Sequence, residues 1–179
     1  MQKLTIVSGN KHKIAEYERM LGVELESVEL DLPEIQSTEV EEVIKLKAEE
    51  AYRQLGRPCF VDDTGITIKC WGKLPGALAK HFLVNVGPDG ILKLLGDNPR
   101  AAYTKVAIGY RDENGLQIFS ATVEGEITTE IRGENGFGFD VIFVPNGCTK
   151  TLAEMTGAEK DKVSHRGRAV REMKKGLGI

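Results

Sequence analysis

Four short segments of this chain carry residue types that do chemistry. Asp62 and Asp63 stand side by side after the apolar run Cys59-Phe60-Val61 and before Thr64-Gly65. Carboxylates at a strand end are where α/β proteins commonly hold a hard cation such as Mg²⁺. Successive strand side chains point to opposite faces, so one aspartate of the pair is expected to face a site. A turn or cap built from the two side chains explains the same residues without any chemistry.

The other three segments are Ser8-Gly9-Asn10-Lys11-His12-Lys13, Gly136-Phe137-Gly138-Phe139-Asp140, and Lys160 through Ser164-His165-Arg166. The first sits between a strand pattern and a helix pattern, where backbone N–H groups suit a phosphate and the lysines add charge. It lacks the spacing of a Walker loop. The second flanks aromatics with glycines, which allows close backbone approach to a flat ligand and stacking on a phenyl ring, or simply a loop whose rings plug the core. The third offers the planar donor fork of Arg166 and the two-way hydrogen bonding of His165, or else an ordinary serine-capped helix start. His12 and His81 find no partner in the sequence and read as surface or packing residues. Each segment alone has a structural explanation. Together they hold phosphate donors, a metal ligand, a stacking loop and a polar clamp, the parts a nucleotide polyphosphate needs.

The bulk composition narrows the partners. With 179 residues, 41% of them hydrophobic and 28% charged, the chain has the balance of a soluble globule built as one domain over residues 1–179. No apolar run approaches the ~18 residues that cross a bilayer, and the N-terminal stretch reads as a first strand rather than a signal peptide. Three cysteines in no metal-ligand spacing fit free thiols in a reducing cytoplasm. The net charge of −3 disfavours a long nucleic acid as partner. The basic residues collected between Lys160 and Lys175 are a solvated helix face or the wall of a small-polyanion site.

The elements that must position these groups follow from periodicity. Residues 3–8 alternate as a strand, then Ile14, Tyr17 and Leu21 mark one helix face, and 23–30 alternates again. Thr38-Glu39-Val40-Glu41 reads as a capping box that opens a helix with Val40, Val43, Ile44, Ala48, Ala51 and Leu55 inward, closed by Gly56. Cys59–Val61 is a short strand ending at Asp62, and 66–70 resumes the pattern. Helices are expected over 77–85 and 88–95, and strands over 101–111 and 116–128 with a hairpin turn at 112–115. A glycine-rich loop over 133–138 precedes a strand near 140–144, a short helix from Thr151 and a basic helix from Ser164. The hairpin among alternating helices and strands predicts a mixed sheet.

At full length the segments resemble, in order, the inosine triphosphate pyrophosphatase family (Ham1-like, non-standard purine nucleoside triphosphate pyrophosphatases). Ser8 to Lys13 resembles its [ST]-x-N-x-x-K, Leu32-Pro33-Glu34-Ile35-Gln36 its Pro-Glu-Ile-Gln segment in the archaeal form, and Val61 to Gly65 its acidic turn. Leu74-Pro75-Gly76, Gly136 to Asp140, Glu159-Lys160 and Ser164-His165-Arg166 complete the likeness. Leu78 stands where that family usually has an aromatic.

The resemblance implies an elongated, two-lobed α/β fold around a long mixed β-sheet flanked by helices, and a homodimer. It implies Mg²⁺-dependent hydrolysis of ITP, dITP and XTP to the monophosphate and pyrophosphate, keeping these nucleotides out of DNA and RNA. Asp63 would be general base and metal ligand, with Glu34 the second carboxylate on Mg²⁺. Ser8, Gly9, Asn10, Lys11, His12 and Lys13 would hold the triphosphate beside Thr64. Phe137, Gly138, Phe139, Asp140, Lys160, His165 and Arg166 would frame base and sugar. The alternatives are a pyrophosphatase of different base preference, of the Maf type, and a non-catalytic nucleotide-binding module.

Overall fold

The computed structural model describes residues 4–179; Lys3, where the expected first strand begins, lies outside them. The chain runs β1 (Thr5–Val7), α1 (Lys11–Leu21), β2 (Glu26–Val28), α2 (Val40–Leu55), β3 (Cys59–Ile68), β4 (Pro75–Gly76), α3 (Ala79–Asn85) and α4 (Gly87–Leu95). It continues through β5 (Ala101–Asp112), β6 (Gly115–Ile127), β7 (Phe143–Pro145), α5 (Gly157–Val163) and α6 (His165–Leu177). The sheet order is β2-β1-β3-β5-β6-β7, with β4 pairing β3. β2, β1 and β3 are parallel and the remaining neighbours antiparallel, so the sheet is mixed as expected.

The long strands β3, β5 and β6 serve different cores along their length. At one end, Phe60, Val106 and Ile108 pack on Tyr17 and Leu21 of α1 and on Ala169, Val170 and Met173 of α6. On the opposite face there, Cys59, Val61 and Ala107 meet Val40, Ile44, Ala48 and Ala51 of α2. Toward the other end, Ile66, Ile68, Ala102, Val123 and Ile127 pack on Ile91 and Leu95 of α4 and on Phe139 and Phe143. The alternation along β3 is the period-two pattern of a strand buried on both faces. It puts Asp62 on the α1/α6 face with Phe60, and Asp63 on the α2 face with Val61.

Four local expectations change. β3 does not stop at Asp62: its pairing with β5 runs unbroken from Cys59↔Arg111 to Ile68↔Ala102, so 62–65 is strand and not a turn. The Thr38 capping box does not form. Ser37 Oγ instead accepts from Glu39 N at 3.0 Å, and the Thr38 carbonyl accepts from Ala77 N at 2.9 Å, tying the helix start to the segment after β4. Residues 138–141 form a 3₁₀ turn, with β7 only at 143–145. The helix expected from Thr151 starts later, capped by Thr156 and Glu159, because 151–155 is held by backbone bonds to Phe143 and Asp140 and buries Leu152, Ala153 and Met155.

Candidate functional site

A cleft of about 750 Å³ opens where β1, α1, the 29–37 loop, β3, α3, the 137–140 segment and the start of α6 meet. It is built at the carboxyl ends of parallel strands, where open α/β sheets bind ligands.

One end is the turn after β1. Ser8 Oγ accepts from Asn10 N at 3.2 Å, and Asn10 Oδ1 caps α1 by accepting from His12 N at 3.0 Å and Lys13 N at 3.2 Å. A Cβ at Gly9 would meet only the carboxylate end of the exposed Glu29 side chain. Lys13 reaches back from α1 to place Nζ 2.9 Å from Asp62 Oδ1. Ser8, Gly9, Asn10 and Lys13 line the cleft; Lys11 and His12 are exposed and outside its wall.

The floor carries the two aspartates, and both border the cleft although their side chains leave β3 on opposite faces. The Asp62 side chain is 1% exposed and taken up by Lys13 and Arg166, whereas the Asp63 side chain is 17% exposed. Asp62 is buried, and burial alone would raise its pKa, but Lys13 and Arg166 outweigh that and hold it well below the usual carboxylate range. It is a permanently charged structural carboxylate. Asp63 has the reverse balance. Burial pushes its pKa up to about 6 against the pull of Lys13 and Lys47, with Asp62 and Glu34 adding to the rise. Its Oδ2 is buried without a hydrogen-bond partner.

Glu34 faces Asp63 from the 29–37 loop. Lys47 of α2 sits between them, with Nζ 2.5 Å from Glu34 Oε1 and 4.0 Å from Asp63 Oδ1. Lys80 of α3 approaches Glu34 Oε2 at 4.0 Å. Burial tends to raise the Glu34 pKa, but the Lys47 and Lys80 charges prevail and lower it. Among the described residues no group of three or more His, Cys, Asp or Glu side chains gathers as a metal-binding set. Two carboxylates already bridged by a cation, one with an unpartnered buried oxygen, suit Mg²⁺, which takes one or two protein carboxylates and completes its shell with water and phosphate oxygens.

The other end is tied to the floor by a chain of buried ion pairs. Arg166 Nη2 lies 3.1 Å from Asp62 Oδ2 and 3.1 Å from Thr64 Oγ1, and Arg166 Nη1 lies 2.5 Å from Glu16 Oε2. Lys160 Nζ lies 2.6 Å from both Glu16 Oε1 and Asp140 Oδ2, and Asp140 Oδ2 accepts from Phe137 N at 2.8 Å. Burial works against the Glu16 charge, yet Arg166 and Lys160 keep its pKa lowered. The network thus runs from Lys13 to the backbone of Phe137. It spends Lys160 inside the protein, away from the cleft wall, and leaves Arg166 only its unpartnered Nε. His165 does line the cleft; both ring nitrogens are buried without partners, and burial with the Arg166 and Lys160 charges holds its pKa well below 6.5. Phe137, Gly138, Phe139 and Asp140 line the cleft beside it.

Sequence reading missed Glu16, Asp62 as the partner of Arg166, and the lysines 47 and 80. The last two sit on helix faces whose spacing resembles any solvated charge. Only the packing of α2 and α3 against the 29–37 loop distinguishes them.

An α/β sheet that presents paired carboxylates, lysines and an aromatic wall in one cleft defines a protein of the nucleotide-polyphosphate-binding class. More narrowly, this chain belongs to the Ham1 family, whose sequence profile matches residues 4–176. It is 42% identical over 174 residues to a dITP/XTP pyrophosphatase of Thermococcus kodakarensis, covering 95% of this chain and 94% of that one. It is 40% identical over 177 residues to inosine triphosphate pyrophosphatase 2 of Trypanosoma cruzi, covering 96% and 90%. A Ham1 protein structure from Coxiella burnetii superposes with a TM-score of 0.84 at 30% identity over 99% of both chains.

Proposed function

We propose that this protein is a pyrophosphatase that hydrolyses non-standard purine nucleoside triphosphates (ITP, dITP and XTP) to the monophosphate and pyrophosphate with Mg²⁺ as cofactor. The observation that carries the reading is Asp63: a cleft carboxylate raised to about 6, with an unpartnered buried oxygen, beside Glu34 and Lys47. With no Mg²⁺ bound, a carboxylate so placed is a better base near neutral pH than an ordinary aspartate; a cation held on it would lower its pKa again. The names of relatives at 35–42% identity supply the substrate class.

In this reading Ser8, Gly9, Asn10 and Lys13 hold the phosphate end, and Lys47 and Lys80 face the same charge from α2 and α3. Asp63 takes the proton of the water that attacks the α-phosphorus, the α–β anhydride bond breaks, and pyrophosphate leaves toward the lysines. Glu34 and Asp63 would hold Mg²⁺, which would supply positive charge to offset that of the polyphosphate. Phe137 stacks on the base. His165, kept neutral by burial, offers one donor and one acceptor to the base edge. A keto oxygen at the purine 6-position meets the donor, whereas the amino group of adenine leaves it unpaired at a cost of roughly 1–3 kcal/mol. Arg166 and Lys160 act one layer back, holding Asp62, Thr64 and the Phe137 loop.

The site works in the cytoplasm, a reading supported by three free cysteines. Among the described residues no helix is long and apolar enough to cross a membrane. We assign the chain a homodimer, supported by an apolar groove of Pro33, Ile35, Leu46 and Tyr52 rimmed by Glu49, Glu50, Arg53 and Arg111. Within the chain Glu50 pairs with Arg53 and Glu49 with Arg111, so the rim adds little net charge around the apolar groove. The activity is tested by product analysis of ITP, XTP, dITP, ATP, GTP and UTP with and without Mg²⁺. Pyrophosphate from the first three agrees with the proposal; orthophosphate, or binding without turnover, defeats it.

A further inference from the structure

His12 was expected among the phosphate-holding residues, and the geometry does not use it so. Its backbone N–H is already given to Asn10 Oδ1 at 3.0 Å, and its side chain is exposed, outside the cleft wall. The imidazole instead stacks on Phe137, with ring centroids 5.5 Å apart and planes inclined by 24°. Phe137 also has Lys160 Nζ 5.2 Å and Arg166 Cζ 5.5 Å from its ring centroid. Phe137 and Arg166 border the cleft while His12 does not, so the imidazole backs the phenyl ring from outside.

We propose that His12 is a positioning residue for base binding: it braces Phe137 in the orientation that presents its ring to the purine. The inference rests on the pyrophosphatase reading and changes one role within it. The contact joins the helix that follows the phosphate turn to the loop that receives the base, two segments that no backbone hydrogen bond connects among the described residues. Without it, Phe137 keeps its backbone hydrogen bonds with Asp140 and the Lys160 and Arg166 cations beside its ring, but loses the contact that limits its side-chain torsions from the α1 side.

The test is steady-state kinetics on ITP with His12→Ala and His12→Phe, alongside competitive inhibition by inorganic tripolyphosphate, which occupies the phosphate end alone. An exposed aromatic pair is worth the lower part of its usual range, so His12→Ala should raise KM for ITP by ~2- to 8-fold with kcat little changed. Inhibition by tripolyphosphate should stay the same, and His12→Phe should restore KM. The proposal is overturned if tripolyphosphate inhibition weakens in parallel with KM, which makes His12 a phosphate ligand, or if His12→Ala leaves KM unaltered. The wild-type arm reads the proposed activity separately: its failure to release pyrophosphate from ITP counts against the pyrophosphatase reading. The stacking role is then read from binding of inosine monophosphate, which His12→Ala should weaken and His12→Phe restore.

Discussion

Glu34 and Asp63 share the Lys47 ammonium, which lies 2.5 Å from one carboxylate and 4.0 Å from the other. The cleft therefore carries its own cation at the place where its two carboxylates converge. Lys47→Met removes a competitor for any divalent ion there. Mg²⁺ added without nucleotide should raise the Tm of this variant more than that of the wild type. Turnover should nonetheless fall by at least ~10-fold, because an ammonium facing the phosphates is lost. Equal Mg²⁺ shifts in both proteins, read by thermal melting across a metal titration, would count against the shared-cation arrangement.

Lys160 holds Glu16 and Asp140 together at 2.6 Å from each, all three side chains buried. Lys160→Met leaves two carboxylates facing each other without that cation, and breaking a buried ionic cluster in this way costs about 3–5 kcal/mol. Denaturant unfolding should show the loss, and adding Asp140→Asn to Lys160→Met should recover part of it. If the single variant unfolds at the wild-type midpoint, the network contributes nothing to stability.

Helices α1 and α2 were legible because their apolar stripes recur at helical spacing, the hairpin at 112–115 because Asp-Glu-Asn-Gly is a turn sequence, and α4 and α6 from Pro88 and Ser164 near their starts. Asp62 to Gly65 misled because two aspartates, a threonine and a glycine are turn formers by local propensity. Twelve-residue β5 overrides that preference by offering β3 a continuous ladder. The cleft residues carried by motifs, Ser8, Gly9, Asn10, Lys13, Asp63 and His165, were legible in the sequence, whereas Lys11 and His12 of the first motif lie outside the cleft wall. Lys47, Lys80 and Glu16 were not legible. Their roles arise from contacts across long sequence separations, such as Lys160 with Glu16, which no local pattern records.

His165 gives the protein a pH signature. Its pKa is lowered in the folded state by burial and by the Arg166 and Lys160 charges, opposed by Asp62, with Lys13 adding to the lowering. A chain that unfolds gains a proton there below about 6.5, while the folded chain does not, so folding stability drains away as pH falls through that value. Metal-free wild-type protein should lose Tm between pH 7.5 and 5.5 faster than His165→Gln, the difference approaching ~1.4 kcal/mol per pH unit. Parallel pH profiles for the two proteins would mean that His165 titrates normally in the fold.

The central claim is that Asp63 drives water-dependent release of pyrophosphate, and its most direct test is product analysis of ITP with wild-type protein and Asp63→Asn. The substitution removes a carboxylate whose charge burial disfavours, with a pKa about 6, so the variant should fold at least as stably as the wild type. The wild type should yield inosine monophosphate and pyrophosphate in equal amounts. The folded variant should bind ITP yet turn it over ~100- to 10,000-fold more slowly. Orthophosphate as the wild-type product, or near-normal turnover by folded Asp63→Asn, would contradict the account.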